Sequence, residues 1–180
     1  MAGSPFRDEE ARGMNFIEIL DAYFRGEKLE AAFFIVPAGL MLIGIGIVAL
    51  KVEKGGFAWG VALPCFLFGA ILLITGTTVA LRTNAQIAEL KQSYERDSVA
   101  MVKEELPRMQ AVNRNFRMTF FMFGAIALAG IIVHYLPWDW CRGLGAVLIL
   151  AAALGLLIDG FAERRAGTYT KALEELNGPT

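Results

Sequence analysis

The sequence predicts an all-α polytopic membrane protein with four transmembrane helices, arranged as two hairpins, together with cytoplasmic amphipathic helices. Three observations predict this class. Hydrophobic residues make up 56% of the 180 residues, and the mean hydropathy is +0.49. Charged residues make up only 19%, whereas a soluble domain carries about 25%. The charges are also confined to a few segments, which leaves long apolar runs between them.

Four apolar runs are each long enough to cross a bilayer, which takes roughly 20 residues of helix. Only His134 interrupts the third run, and Asp159 is the one charge in the fourth. The runs are residues 31–50, 55–81, 118–138 and 143–162. Hydrocarbon offers no partners to backbone N–H and C=O groups, so each run is expected to be a helix. Gly55 and Gly56 are poor helix formers and are assigned to a loop.

The runs and their flanks divide the chain into five parts. These are an N-tail with an amphipathic helix (1–30), a first transmembrane hairpin (31–81), a helical loop (82–117), a second transmembrane hairpin (118–162) and a C-tail (163–180). Fourteen of the seventeen Lys and Arg residues lie in the two tails and the helical loop. The positive-inside rule therefore places both termini in the cytoplasm, and a bacterial inner (plasma) membrane is predicted. Trp59, Trp138 and Trp140 fall at the two short outer turns and are predicted to anchor that interface.

The N-tail carries a predicted amphipathic helix. Apolar residues recur at helical spacing over residues 16–24, and Glu18, Asp21 and Arg25 occupy the opposite side. Two locations are possible for this helix. The helix lies on the membrane surface, or it docks to a partner and Glu18, Asp21 and Arg25 form the partner face. Gly26 is expected to break or bend it.

The helical loop contains further start signals. Thr83 and Gln86 match a capping box, which predicts a new helix there. A second helix is predicted to start near Asp97 or Ser98, with Pro107 interrupting it. The loop covers the inner mouth of the bundle or serves as a recognition surface.

Small residues recur at four-residue spacing, as in Gly56 with Gly60 and Ala151 with Gly155. Such pairs let helices approach closely in lipid, so a homo-oligomer or a larger membrane protein complex is expected. The two halves also resemble each other in plan, and whether they are a true duplication stays open.

Little in the sequence indicates chemistry. His134 and Asp159 are the ionisable residues within the runs and therefore the candidate functional ones, and Asp159 is expected to pair with Arg164 or Arg165. No metal-binding, cofactor-binding or catalytic motif is found. Cys65 and Cys141 differ in depth by roughly 10 Å and are predicted to be free thiols. A net charge of −1 gives no indication of nucleic acid binding.

These observations favour a non-enzymatic integral membrane scaffold or accessory subunit that binds partners through its helices, within the lipid bilayer. A small oligomeric channel or transporter is the alternative, and an enzyme acting on lipid is a third.

Overall fold

A computed structural model describes the backbone of residues 5–178 and the side chains of residues 15–178. Within this range the chain forms five α-helices and one π-helical turn. The helices are α1 (Pro5–Glu30), α2 (Val36–Val52), α3 (Gly56–Arg96), α4 (Ser98–His134) and α5 (Asp139–Leu176), and the π turn is Ala31–Ile35. The outermost residues of the predicted N-tail (1–4) and C-tail (179–180) lie outside the described residues, as do the side chains of residues 5–14.

Four of the described helical stretches are long and apolar enough to cross a membrane, as the sequence predicts. They are Asn15–Val52, Gly56–Arg96, Ser98–His134 and Asp139–Leu176. The three longest α-helices, of 37 to 41 residues, measure about 55–60 Å at 1.5 Å per residue. A bilayer core is about 30 Å thick, so each of these helices has an apolar half and a second half of similar length.

Helices α3, α4 and α5 continue from the apolar runs into the polar segments without interruption. The capping box predicted at Thr83 is wrong, because α3 runs straight through it and the Thr83 hydroxyl donates to the Val79 carbonyl oxygen at 2.6 Å. The helix start predicted near Asp97 is confirmed. The Asp97 carboxylate accepts a hydrogen bond from the Ala100 N–H at 2.9 Å, which caps α4. Helix α4 then continues through Pro107.

The first helical stretch changes its hydrogen-bond pattern at Ala31–Ile35, where the Val36 N–H donates to the Ala31 carbonyl five residues back. Pro37 explains the change, because proline lacks an N–H and its ring clashes with the carbonyl four residues earlier. The break predicted at Gly26 is wrong, since α1 is a regular α-helix at that position.

The polar halves of the helices form a four-helix bundle with its own hydrophobic core. We call it the extension bundle: residues 15–30 of α1, 82–96 of α3, 98–117 of α4 and 163–176 of α5. Its core is apolar and aromatic, and its largest fully buried side chains are Phe24, Leu20, Met109, Tyr169 and Leu173. The apolar side of α1 is therefore buried against the same chain. The apolar side of α1 therefore does not lie on a membrane surface, which was one of the two expected positions, because α3, α4 and α5 extend far enough to cover it.

In the apolar halves, α3 packs between α2 and α5, and α4 packs on α5. Glycines make these contacts close. A Cβ on Gly39 would lie 2.9 Å from the Gly69 carbonyl oxygen, and one on Gly130 would lie 3.0 Å from that of Gly145. Gly60, which the sequence assigned to self-association, packs against the Trp140 backbone of the same chain. Close glycine contacts therefore build the fold itself.

Candidate functional site

A cluster of hydrogen-bonded polar side chains lies in the core of the extension bundle, around the buried residue Glu105. This residue is only 6% exposed. The Arg108 guanidinium donates to both Glu105 carboxylate oxygens, from Nε at 2.7 Å and from Nη2 at 2.5 Å. The Tyr169 hydroxyl donates to Oε1 at 3.2 Å. A charge taken out of water needs such partners, because an unpaired buried carboxylate is strongly destabilising. Glu105 thereby ties α4 to α5.

An aromatic cluster packs around Tyr169, the tyrosine that donates to this carboxylate. Tyr169 is fully buried and stacks on Tyr23, with ring centroids 4.8 Å apart and an interplanar angle of 10°. Phe16 and Phe24 also pack on Tyr169, each at 5.9 Å. Burial raises the pKa of both tyrosines well above the usual range. The Tyr169 hydroxyl therefore stays protonated at physiological pH and remains a donor to Glu105.

Glu27 of α1 lies beside the same group and faces three helices. Burial raises its pKa, while Arg82, Arg108 and Arg165 oppose the rise by favouring the charged carboxylate. The nearby Glu105 raises the pKa of Arg108, so that guanidinium stays charged. In the folded state, the charged form of Glu27 is therefore less favourable, relative to the protonated form, than it is in the unfolded state.

Glu27 should make folding pH-dependent in a direction opposite to that of a salt-bridged acid. Its pKa is higher in the folded state than in the unfolded state, so folding favours the protonated form. Stability should fall as pH rises from the ordinary glutamate range through the higher folded pKa. We expect Glu27→Gln to lose less stability over that window, measured by thermal unfolding at a series of pH values. Glu89→Gln, at an exposed position on α3, should keep the wild-type slope, and an unchanged slope in Glu27→Gln would contradict the assignment.

Polar links also fasten α1 to the rest of the extension bundle. Lys91 donates to Asp21 at 2.7 Å, and Lys28 donates to Asn84 at 3.1 Å. Arg165 of α5 pairs with Glu30. A Cβ on Gly26 would lie 2.6 Å from Cδ of Arg165, so the missing side chain of Gly26 leaves room for the arginine stem that reaches Glu30.

The candidate residues within the apolar runs lie far apart. Asp159 faces the Thr119 side chain. The ion pair expected between Asp159 and Arg164 or Arg165 is wrong. Arg165 pairs with Glu30 instead, and among the described residues Asp159 forms no ion pair. His134 is the last residue of α4, and its Nδ1 atom lies 3.0 Å from the Arg142 carbonyl oxygen. The geometry does not bring His134 and Asp159 together.

The remaining predicted residues lie at the two ends of the molecule. Trp59, Trp138 and Trp140 are all exposed, where α3 begins and around the start of α5. On α1, Glu18 is exposed and the Arg25 side chain is 73% exposed. Asp21, between them, bonds to Lys91 of the same chain. Both described cysteines, Cys65 and Cys141, are buried and unbridged, as predicted.

No family model, curated protein or solved structure matches this chain. The role of each candidate side chain is therefore inferred from the geometry of the described residues. Within residues 15–178, no three His, Cys, Asp or Glu side chains are placed to hold a metal ion. The Glu105 carboxylate is buried and accepts hydrogen bonds on both oxygens from Arg108 and Tyr169, which suits it to holding helices together.

The sequence reasoning missed Glu105, Arg108 and Tyr169, although a signal was present. Glu105 falls between Met101 and Met109 at four-residue spacing, so it interrupts an otherwise apolar helix side. Tyr169 was assigned to a tail, yet Ala166 and Leu173 flank it at helical spacing. An acid within an apolar stripe, with an arginine three residues later, indicates a buried ion pair.

Proposed function

We propose that the chain is a non-enzymatic integral membrane scaffold or accessory subunit that holds a partner protein on the outer surface of its extension bundle. The division of its long helices supports this function. One half of each is apolar over a length that matches a bilayer. The other half encloses a separate core and carries most of its charges outward. Because the helices are continuous, the binding surface is held at a fixed distance from the membrane.

The proposed location is a bacterial inner membrane, with the extension bundle and both termini in the cytoplasm. The concentration of Lys and Arg in the extension segments supports this orientation. The exposed tryptophans at the opposite end suit an outer membrane interface, where their rings prefer the headgroup region. A reporter that is active only in the cytoplasm, fused to the C-terminus, should be active. Activity of a reporter that works only outside the cell would contradict the orientation.

The partner surface is proposed on α1, around Glu18 and Arg25. Both side chains are exposed, and they lie seven residues apart on the same side of the helix. Asp21 shares that side but is bonded to Lys91, so its role is to fix α1 in place. The partner is a second copy of the chain or another member of a membrane complex.

Site-specific crosslinking tests the proposal. A photoreactive residue at position 18 or 25 should give one defined adduct in intact membranes. The charge reversal Glu18→Lys with Arg25→Glu should abolish the adduct formed from a photoreactive residue at position 22 and leave thermal stability unchanged. Glu95→Lys, at an exposed position on α3, is the matched control and should keep the adduct. A monomer after gentle detergent extraction, with no adduct from any of these positions, would contradict the proposal.

The alternative function, an oligomeric channel or transporter, requires a path for ions across the membrane. Its ion path would have to use Asp159 or His134, which lie near opposite ends of the apolar halves. Liposomes containing the protein should leak ions no faster than empty liposomes. A flux that is lost in Asp159→Asn or His134→Ala would replace the scaffold function with transport.

A further inference from the structure

The exposed side of α1 carries its charges in a fixed order along the helix. Glu18 lies near the tip of the extension bundle, and Arg25 lies about two helical turns closer to the apolar half. Ala22, between them, is also exposed. We call these three residues the charged stripe. Their separations of four and three positions are the spacing that faces a neighbouring helix in a coiled coil.

The charges beside the charged stripe keep the same order, acidic at the tip and basic toward the membrane. Lys91 of α3 donates to Asp21 at 2.7 Å, and Arg25 lies 3.9 Å from the same carboxylate, beyond hydrogen-bond distance. The exposed charges on the α5 side of the tip are Lys171, Glu174 and Glu175. Lys28 adds a second cation on the membrane side of Arg25. Among the described residues Glu18 forms no ion pair, so its carboxylate is available to a partner.

A second copy of the chain in the same membrane does not match this order. Two copies with the same orientation that pair through the same surface are related by a twofold axis along the bilayer normal. Their α1 helices then run parallel, because α1 packs along α3 and α5, which continue into the apolar halves. Glu18 would face Glu18, and Arg25 would face Arg25. The two residues lie about 10 Å apart along the helix, so neither reaches the opposite charge of the other copy.

We propose that the charged stripe binds a helix of a different membrane protein, which runs alongside α1 with a basic residue opposite Glu18 and an acidic residue opposite Arg25. This inference rests on the proposed function, which places partner binding on α1, and it excludes a second copy as that partner. The small side chain of Ala22 lets the partner helix approach closely between the two ion pairs. Both pairs are exposed to solvent, so they select the partner more than they strengthen its binding.

The charge-reversed chain, Glu18→Lys with Arg25→Glu, is itself a probe of this selection, because it presents the complementary order at the same height. Wild-type and charge-reversed chains, both with Ala22→Cys and with tags of different mass, are mixed equally in liposomes and crosslinked with a short bismaleimide. The native cysteines are buried, so the crosslinks form at position 22. Mixed dimers should be at least about threefold more abundant than the two same-chain dimers together, as expected for two exposed ion pairs.

Glu95→Lys, at an exposed position on α3, is the matched control for the charge-reversed chain. Its mixture with the wild type, labelled in the same way, should show no excess of mixed dimers, because the change lies outside the charged stripe. Wild-type dimers as abundant as the mixed dimers of the charge-reversed chain, or no excess in that mixture, would overturn the inference.

Intact membranes provide a second readout that needs no charge variant. The adduct from a photoreactive residue at position 22 should differ in mass from twice the chain. Its crosslinked partner peptide should carry a basic and an acidic residue on opposite sides of the attachment point, each within about one helical turn. An adduct of twice the chain mass, or a peptide without these charges, would overturn this inference and leave the scaffold function standing. No adduct from positions 18, 22 and 25 would contradict both.

Discussion

Replacing Gly143 by valine is expected to push α3 and α5 apart and to lower the free energy of unfolding by at least about 2 kcal/mol. A Cβ at Gly143 would lie 2.5 Å from the Phe57 carbonyl oxygen and 2.9 Å from the Val61 backbone nitrogen. Backbone atoms within a helix cannot rotate away as a side chain can, so the helices themselves have to separate. Equilibrium unfolding in mixed micelles, followed by tryptophan fluorescence, measures the loss.

Gly124→Val is the matched control for this prediction. It makes the same chemical change in an apolar run, and a Cβ there meets nothing within 4 Å. The control should change the free energy of unfolding by no more than about 0.5 kcal/mol. Equal stability of the Gly143 and Gly124 variants would show that α3 and α5 do not cross as closely as the structure places them.

Replacing Tyr169 by alanine should destabilise the extension bundle by about 3–5 kcal/mol, the range for removing a large buried ring. Tyr169 is fully buried and stacks on Tyr23 of α1. The substitution also removes the hydroxyl that donates to Glu105. We expect α1 to lose its packing first, so backbone amides over residues 15–30 should exchange hydrogen faster in deuterated buffer.

Two variants separate the contributions of the Tyr169 ring and hydroxyl. Tyr169→Phe keeps the ring and removes one hydrogen bond, so it should cost only about 1 kcal/mol. Tyr135→Ala removes a tyrosine that is 83% exposed and should stay within about 0.5 kcal/mol of the wild type. Unchanged amide exchange over residues 15–30 in Tyr169→Ala would contradict the central position assigned to this residue.

The four apolar runs could be predicted from the sequence because a span depends on the composition of about 20 consecutive residues, and charges between runs mark their ends. The start of α4 could be predicted as well, because Asp97 acts on its own N-terminal turn. Both signals are local. They need no knowledge of which helices become neighbours.

The extension bundle could not be predicted, because it depends on contacts between segments far apart in the chain. Thr83 resembles a helix start, yet its hydroxyl bonds within a helix that simply continues. Gly26 resembles a helix break, yet its function is to leave space for Arg165, 139 positions further along the chain. The apolar side of α1 indicated that something covers it, but periodicity alone does not say whether that is lipid, a partner or the same chain.

The continuity of α3, α4 and α5 fixes the angular register between the apolar halves and the extension bundle. Each residue of an α-helix advances the direction of its side chains by about 100°. A single residue inserted after Leu81 would therefore turn Ile87 and Leu90 away from the core they now contact. Within the described residues, changes in length are compatible with this architecture at the connectors, which are residues 53–55, Asp97 and residues 135–138, where the chain is not helical.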